Sequence, residues 1–308
     1  MLLPHYKPVG SRANLIRLLR RHGVYSDQYR STAMTQRKVA FITGASRGIG
    51  AVTAIALARA GYDLALTART LREGEEHEHG SWESKASALP GSLEATAAAA
   101  REHGADTLLL RSDILDTASV LAAADQALAH FGRVDLLFNN ACYQGPGNLQ
   151  RVLDVTPEQA ENVYRGNVLT PLALVQKLLP GMLERGAGSI INMVSGSALA
   201  DPPAPADQGG WSFVYPSSKA ALIRMVPSLR VEHADSGLRF FSVEPGFVLT
   251  EVMKANGFGV DIPTLYKPTA PEAIADVVVW LAESDDALAW HDKGVIRAPQ
   301  LHARLFSQ

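Results

Sequence analysis

The stretch Val39-Ala40-Phe41-Ile42-Thr43-Gly44-Ala45-Ser46-Arg47-Gly48-Ile49-Gly50 sets the reading of the whole chain. A short apolar run, Val39–Thr43, is followed at once by glycines at 44, 48 and 50, and Gly48–Ala60 continues as a helical pattern stopped by Gly61. Gly44 permits the sharp turn from strand to helix, and Gly50 lets the two pack closely. The small residues between them allow backbone N–H groups to approach an anion such as a pyrophosphate. Taken alone, the spacing also suits a glycine-rich turn that binds nothing; its place after the first strand of an alternating pattern gives it weight.

That alternation runs outward through most of the chain. Apolar runs at Leu64–Ala68, Thr107–Leu110, Val134–Asn139, Ser189–Val194 and Leu238–Val243 read as strands, with a seventh at Gly294–Ala298. Between them, Leu93–His103, Ala118–Phe131, Pro157–Leu183 (long or broken), Tyr215–Ala234 and Pro271–Glu283 read as helices. Thr70–Gly91 reads as polar and irregular, Ala200–Gly210 as a Pro- and Gly-rich loop, and the tail Pro299–Gln308 is left unassigned. Strand–helix alternation predicts an α/β fold: one domain, a doubly wound parallel sheet with helices on both faces and ligands beyond the carboxyl ends of its strands.

Composition narrows the function. The 308 residues are 47% apolar and 19% charged, enough to bury a core, and the net charge of −2 offers no global field for nucleic acid. One cysteine excludes an internal disulfide framework or a multi-cysteine metal site, and no apolar run reaches the length of a membrane span. No metal is expected: Glu75-Glu76-His77-Glu78-His79 reads as a solvated acidic loop, its histidines two apart and off one helix face. Residues 1–33 set Lys7, Arg12, Arg17, Arg20, Arg21 and Arg30 against Asp27 alone, a net of +5. Such a start fits an import leader, or sequence upstream of a true start at Met34; the second is favoured, with a cytoplasmic protein whose domain spans 34–308.

The strand ends carry the chemistry. After Leu64–Ala68 there is no carboxylate to take a ribose 2′-hydroxyl; Arg69 stands there, with Arg47 in the glycine loop. Two guanidiniums suit a 2′-phosphate, so NADP(H) is expected in preference to NAD(H), the alternative being two solvated surface arginines. Asp113 can accept from an adenine amino group or cap the next helix. Asn139 and Asn140 can tie neighbouring strands and border a cofactor. Tyr215 and Lys219 stand four apart on one helix face, and an ammonium beside a phenol lowers its pKa toward a general acid/base. With Ser195 ending the strand before it, that pair becomes specific.

In this order the motifs resemble the short-chain dehydrogenase/reductase family, over about Lys38 to Glu283: the Thr43–Gly50 loop, Asp113, Asn139-Asn140-Ala141, Asn167, Ser195, Tyr215 with Lys219, and Pro245-Gly246-Phe247-Val248-Leu249-Thr250. The resemblance implies a Rossmann-like fold and an oxidoreductase interconverting a carbonyl and a secondary alcohol. It implies that Tyr215 exchanges the proton, Ser195 polarises the oxygen, Lys219 binds the nicotinamide ribose, and Asn167 positions a water joining Lys219 to solvent. Cofactor contacts are implied for Gly44, Ser46, Arg47, Gly48, Ile49, Gly50, Arg69, Asp113, Ile114, Asn140, Ala141, Tyr215, Lys219, Pro245, Gly246, Val248 and Thr250. It also implies a homo-oligomer, dimer or tetramer.

The family's glycine after Asn-Asn-Ala is Cys142 here, read as a packed bystander, and insertions lie near Arg72–Gly91 and Ala200–Gly210. Trp211, Phe213, Phe247, Met253, Phe258 and Tyr266 fall in two loops flanking the reacting carbon, which suggests an apolar small-molecule substrate and a lid at about Leu249–Lys267. Two rivals stand beside the dehydrogenase reading: a nucleotide sensor without catalysis, and an epimerase or dehydratase on the same scaffold. Retention of both Tyr215 and Lys219 argues against the sensor.

Overall fold

The computed structural model describes residues 37–83, 85–257 and 268–306; the leader and much of the expected lid, with Phe258 and Tyr266, lie outside them. Strand β1 (Lys38–Thr43) turns through the glycine loop into helix α1 (Gly48–Ala60), whose last turn is closed by Gly61 at φ 104°. Strand β2 (Tyr62–Ala68), helix α2 (Leu93–Arg101), strand β5 (Thr107–Arg111), helix α3 (Thr117–Phe131) and strand β6 (Leu136–Asn139) follow, with β3 and β4 in a hairpin described below. Helix α4 (Pro157–Tyr164) runs through a π-helical turn at Arg165–Leu169 into α5 (Thr170–Arg185), so the expected long helix is a broken one. Strand β7 (Ser189–Met193), helix α6 (Val214–Glu232), strand β8 (Arg239–Glu244), helix α7 (Glu251–Ala255), helix α8 (Pro271–Glu283) and strand β9 (Val295–Arg297) complete the sheet.

The order across the sheet is β5-β2-β1-β6-β7-β8-β9, every neighbouring pair parallel. The order reverses beside β1, so β1 and β6 border the crevice in which such sheets take ligands. Successive side chains on a strand point to opposite faces, and both faces are buried. Phe41 and Phe240 thus enter a core shared with α3, α5 and α6, while Ile42 and Phe241 enter one shared with α1, α2 and α8. Each fully enclosed aromatic contributes about 1.5–3 kcal/mol over its exposed state. At the strand ends, Asn139 donates to Asn192 Oδ1 at 2.9 Å and ties β6 to β7. Asn140 donates to Thr43 O at 3.0 Å and Gly44 O at 3.2 Å, so the paired asparagines do join the strands.

Two segments depart from the sequence reading. Within 70–91, β3 (Glu76–Glu78) pairs antiparallel with β4 (Ala86–Ala88). The run before it is not merely solvated. Arg111 grips Glu75 through both carboxylate oxygens, at 2.9 and 2.7 Å, and holds that acid at a pKa of about 2. On a strand, residues two apart share a face, and the His77 and His79 rings meet edge to face at 6.5 Å between centroids. The tail left unassigned is helix α9 (Ala298–Phe306), which buries Leu301 beside α8.

Candidate active site

The carboxyl ends of the central strands open into one cavity of about 680 Å³. Along one side it is lined by Gly44, Ser46, Arg47, Gly48 and Ile49, by Arg69, and by Asp113 and Ile114. Across it stand Asn140, Ala141, Ser195, Tyr215, Lys219, Pro245, Gly246, Val248 and Thr250. Gly50 and Asn167 lie behind the wall. A Cβ on Gly50 would meet Gly44 O at 2.2 Å, which is the close packing expected of that glycine. Gly44 and Gly48 take φ of +68° and +54°, conformations that side chains resist. Helix α1 starts here with neither a side-chain cap nor an acidic first turn, so its leading N–H groups and its dipole face the cavity. This end suits a pyrophosphate, and the residues present fit a dinucleotide.

Helix α6 delivers Tyr215 and Lys219 to the other end. Lys219 is 2% exposed and spends one of its three protons on Met193 O at 3.0 Å, with its nitrogen 5.9 Å from the Tyr215 ring centre. Ser195 lines the same cavity and stands near enough to the Tyr215 phenol to lower its pKa. Ser197, which the motif reading passed over, stands 2.9 Å from Ser195 Oγ and also lines the cavity. When Ser197 donates, the Ser195 proton is turned toward Tyr215; the only sequence cue is Ser-Gly-Ser. Burial first, and then Cys142, push the Tyr215 phenol above its ordinary pKa, with Ser195 opposing them. The expected lowering by Lys219 is therefore outweighed. Cys142 also lines the cavity, its thiol donating to Tyr143 O at 3.6 Å, and it is among the groups that raise this phenol.

Asn167 is wholly enclosed, and both ends of its amide are engaged: Oδ1 accepts from Tyr143 N at 2.9 Å and Nδ2 donates to Ser218 Oγ at 3.1 Å. It links the π-turn, the loop after β6 and helix α6, and its side chain does not face the cavity. Asp113 does not cap α3. Its Oδ1 turns back on Leu115 N at 2.9 Å, and Asp116 is the cap.

The two arginines part company. Arg47 Nε donates to Pro90 O at 2.9 Å, and its Nη2 serves Thr70 Oγ1, Leu89 O and Gly91 O at 3.1, 3.3 and 2.9 Å. The folded insertion thus presents carbonyls to Nε and Nη2 of Arg47, which still lines the cavity. Arg69 lines the cavity and makes a single bond, to Glu78 O at 3.0 Å.

Loops roof both ends. Asn256, just after α7, donates to His79 O at 2.8 Å and accepts from Ser81 N at 2.8 Å, clasping the hairpin. Gln150 donates to Ser81 O and Trp82 O from a third loop. Beside Tyr215 the lining includes Cys142, Tyr143, Leu149, Trp211, Phe247 and Met253. Phe213 does not join them and is 60% exposed. Among the described residues no helix is long and apolar enough to cross a membrane, and no group of three or more His, Cys, Asp or Glu side chains is placed to hold a metal.

Comparison with known proteins agrees with this geometry. The model of the short chain dehydrogenase family matches residues 38–258. The short chain dehydrogenase mpl6 of Monascus purpureus is 32% identical over 254 residues, which are 80% of this chain and 76% of the relative. A metagenomic short-chain oxidoreductase solved in complex with NADP has a TM-score of 0.61 at 27% identity, covering 81% of this chain and 92% of the other. A 3-oxoacyl-[acyl-carrier protein] reductase from Brucella melitensis, solved in complex with NAD, has a TM-score of 0.68 at 26% identity, covering 85% and 96%.

Proposed function

The chain belongs to the short chain dehydrogenase family, and from that premise we propose that it is an NADP(H)-dependent oxidoreductase interconverting an apolar carbonyl compound and its secondary alcohol. The observation that carries the reading is the convergence of Ser195, Tyr215 and Lys219 on one cavity whose far end is the uncapped start of α1.

The glycine loop, Asp113, Ile114, Asn140, Ala141 and the Pro245–Thr250 segment would hold the cofactor, which when bound would supply or accept hydride. The chain manages the proton and the developing charge. Held protonated by burial, Tyr215 rests as the acid and gives its proton to the carbonyl oxygen during reduction. Ser195, oriented by Ser197, donates to that same oxygen and stabilises the charge forming there. Lys219 keeps protons beyond the one given to Met193 O; these would serve the ribose of a bound nicotinamide cofactor and steady the phenolate left behind. Asn167 is a positioning residue here, fixing α6 through Ser218. The apolar lining of Leu149, Trp211, Phe247 and Met253 supports an apolar substrate. Arg69, with no carboxylate at the end of β2, supports NADP(H) over NAD(H). The partly exposed Leu169 and Leu172 on the π-turn and α5 support association into a homo-oligomer.

A panel of ketones and secondary alcohols followed by NADPH absorbance tests the activity. Tyr215→Phe is expected to abolish turnover while the cofactor still binds; unchanged turnover in that variant would defeat the reading. Arg69→Ala is expected to raise KM for NADPH far more than for NADH, and equal effects would remove the cofactor assignment.

A further inference from the structure

His79 comes from the insertion, not from the motifs that carry the family resemblance, and the reading above gives it no task. Its backbone is fixed on both sides, the N–H donating to Lys85 O at 3.1 Å and the carbonyl accepting from Asn256 at 2.8 Å. The residue is 4% exposed and lines the cavity, yet its Nε2 is enclosed without a hydrogen-bond partner. A buried polar atom left unmatched destabilises the fold, so a site that retains one has a use for it.

The position tells which use. The hairpin rises directly from the end of β2, where doubly wound sheets meet the adenosine ribose. Arg69 donates to the carbonyl of Glu78, the residue next to His79, so guanidinium and imidazole are held together. Burial and the charges of Arg69, Arg47 and His77 bring the His79 pKa down to about 4, so the ring is neutral near pH 7. Arg69 and Arg47 are the permanent cations acting on the ring, while Glu78 and Glu251 line the same cavity. Arg47 spends Nε and Nη2 on Thr70 and the 89–91 backbone, so Arg69 and His79 are the groups set at the end of β2 with donors to spare.

We propose that His79, carried by the β3–β4 hairpin, is a specificity-determining residue for the cofactor, donating from Nε2 to the phosphate on the adenosine ribose beside the Arg69 guanidinium. The proposal rests on the NADP(H) reading above and adds to it a ligand built from the insertion. A neutral imidazole has one N–H to give, and a hydrogen bond to a charged group in a dry site is worth about tenfold or more in affinity.

The test is equilibrium binding of NADPH and NADH to the full-length protein, followed by nucleotide fluorescence, for the wild type and for His79→Phe, His79→Gln and Arg69→Ala. His79→Phe, a ring without a donor, is expected to lower the NADPH-over-NADH affinity ratio about tenfold, and His79→Gln, which keeps an N–H, to recover much of it. Should His79→Phe fail to fold, proton–nitrogen NMR of the wild type decides: the His79 Nε2–H signal, identified by its loss in His79→Gln, shifts on adding NADPH and not NADH. An unchanged ratio in His79→Phe, or the same NMR shift with both nucleotides, overturns the proposal. If Arg69→Ala collapses the ratio while His79→Phe does not, only the role of His79 falls; if neither changes it, the NADP(H) reading falls too.

Discussion

Replacing Gly50 by alanine puts one methyl group where there is least room for it. The new Cβ would lie 2.2 Å from Gly44 O, 2.9 Å from Gly44 C and 2.7 Å from Asn140 Nδ2, whereas ordinary contact begins at 3.4 Å. Gly44 must therefore withdraw by about 1 Å. It cannot do so freely. Its carbonyl accepts from Asn140, whose amide also holds Thr43 O, and the next residue, Ala45, donates to Thr67 O at 3.0 Å. Overpacking of this kind costs about 1–3 kcal/mol, which for a domain of this size lowers the melting temperature by roughly 2–10 °C. The same displacement spoils the aim of the backbone N–H groups at the start of α1, and losing one or two such bonds weakens cofactor binding by about tenfold or more. Gly61→Ala is the control: Gly61 has φ +104° with nothing within 4 Å, so the variant is destabilised by backbone strain alone, far from the cavity. Thermal denaturation and equilibrium nucleotide binding on both variants separate the effects. If Gly50→Ala binds NADPH within about twofold of wild type, the cradle is not where the packing argument puts it.

Two further variants probe the same wall. Cys142→Ala removes a group that raises the Tyr215 phenol, so phenolate forms at lower pH and the rising limb of the alcohol-oxidation pH profile moves down; an upward or absent shift counts against the thiol contact. Asn192→Leu strands the Asn139 amide in a buried site and should cost about 1–3 kcal/mol in thermal or urea unfolding, while the double change Asn139→Leu/Asn192→Leu should recover most of it; a double variant no better than the single one would show that the pair is not what joins β6 to β7.

The glycine loop, the strand sequence and the Tyr215–Lys219 pair were legible because each is local. A turn needs its glycine, a strand its apolar run, and a helix face its four-residue step. The hairpin was not legible, since three-residue strands of Glu, His, Ala and Ser carry no apolar alternation and are held by distant partners: Arg111, Gln150 and Asn256. The partners of Arg47 are hidden for the same reason. Its charge is local, but the carbonyls of Leu89, Pro90 and Gly91 that claim it arrive only with the folded insertion. Cys142 follows a strand end in sequence, yet its effect on the Tyr215 phenol depends on helix α6 being brought to the end of β6. Asp113 reads as a cap in the sequence, but backbone direction gives that place to Asp116.

The Asn256 amide holds more than one end of the cleft. Its oxygen and nitrogen reach Ser81 and His79 on the nucleotide side, while the same nitrogen also donates to Val252 O within the segment that borders the substrate side. Swinging either panel outward breaks bonds made by one carboxamide, so the two doors of this chamber share a single latch. Wall and roof on that side of the cavity are therefore one piece, and neither can be displaced without cost to the other.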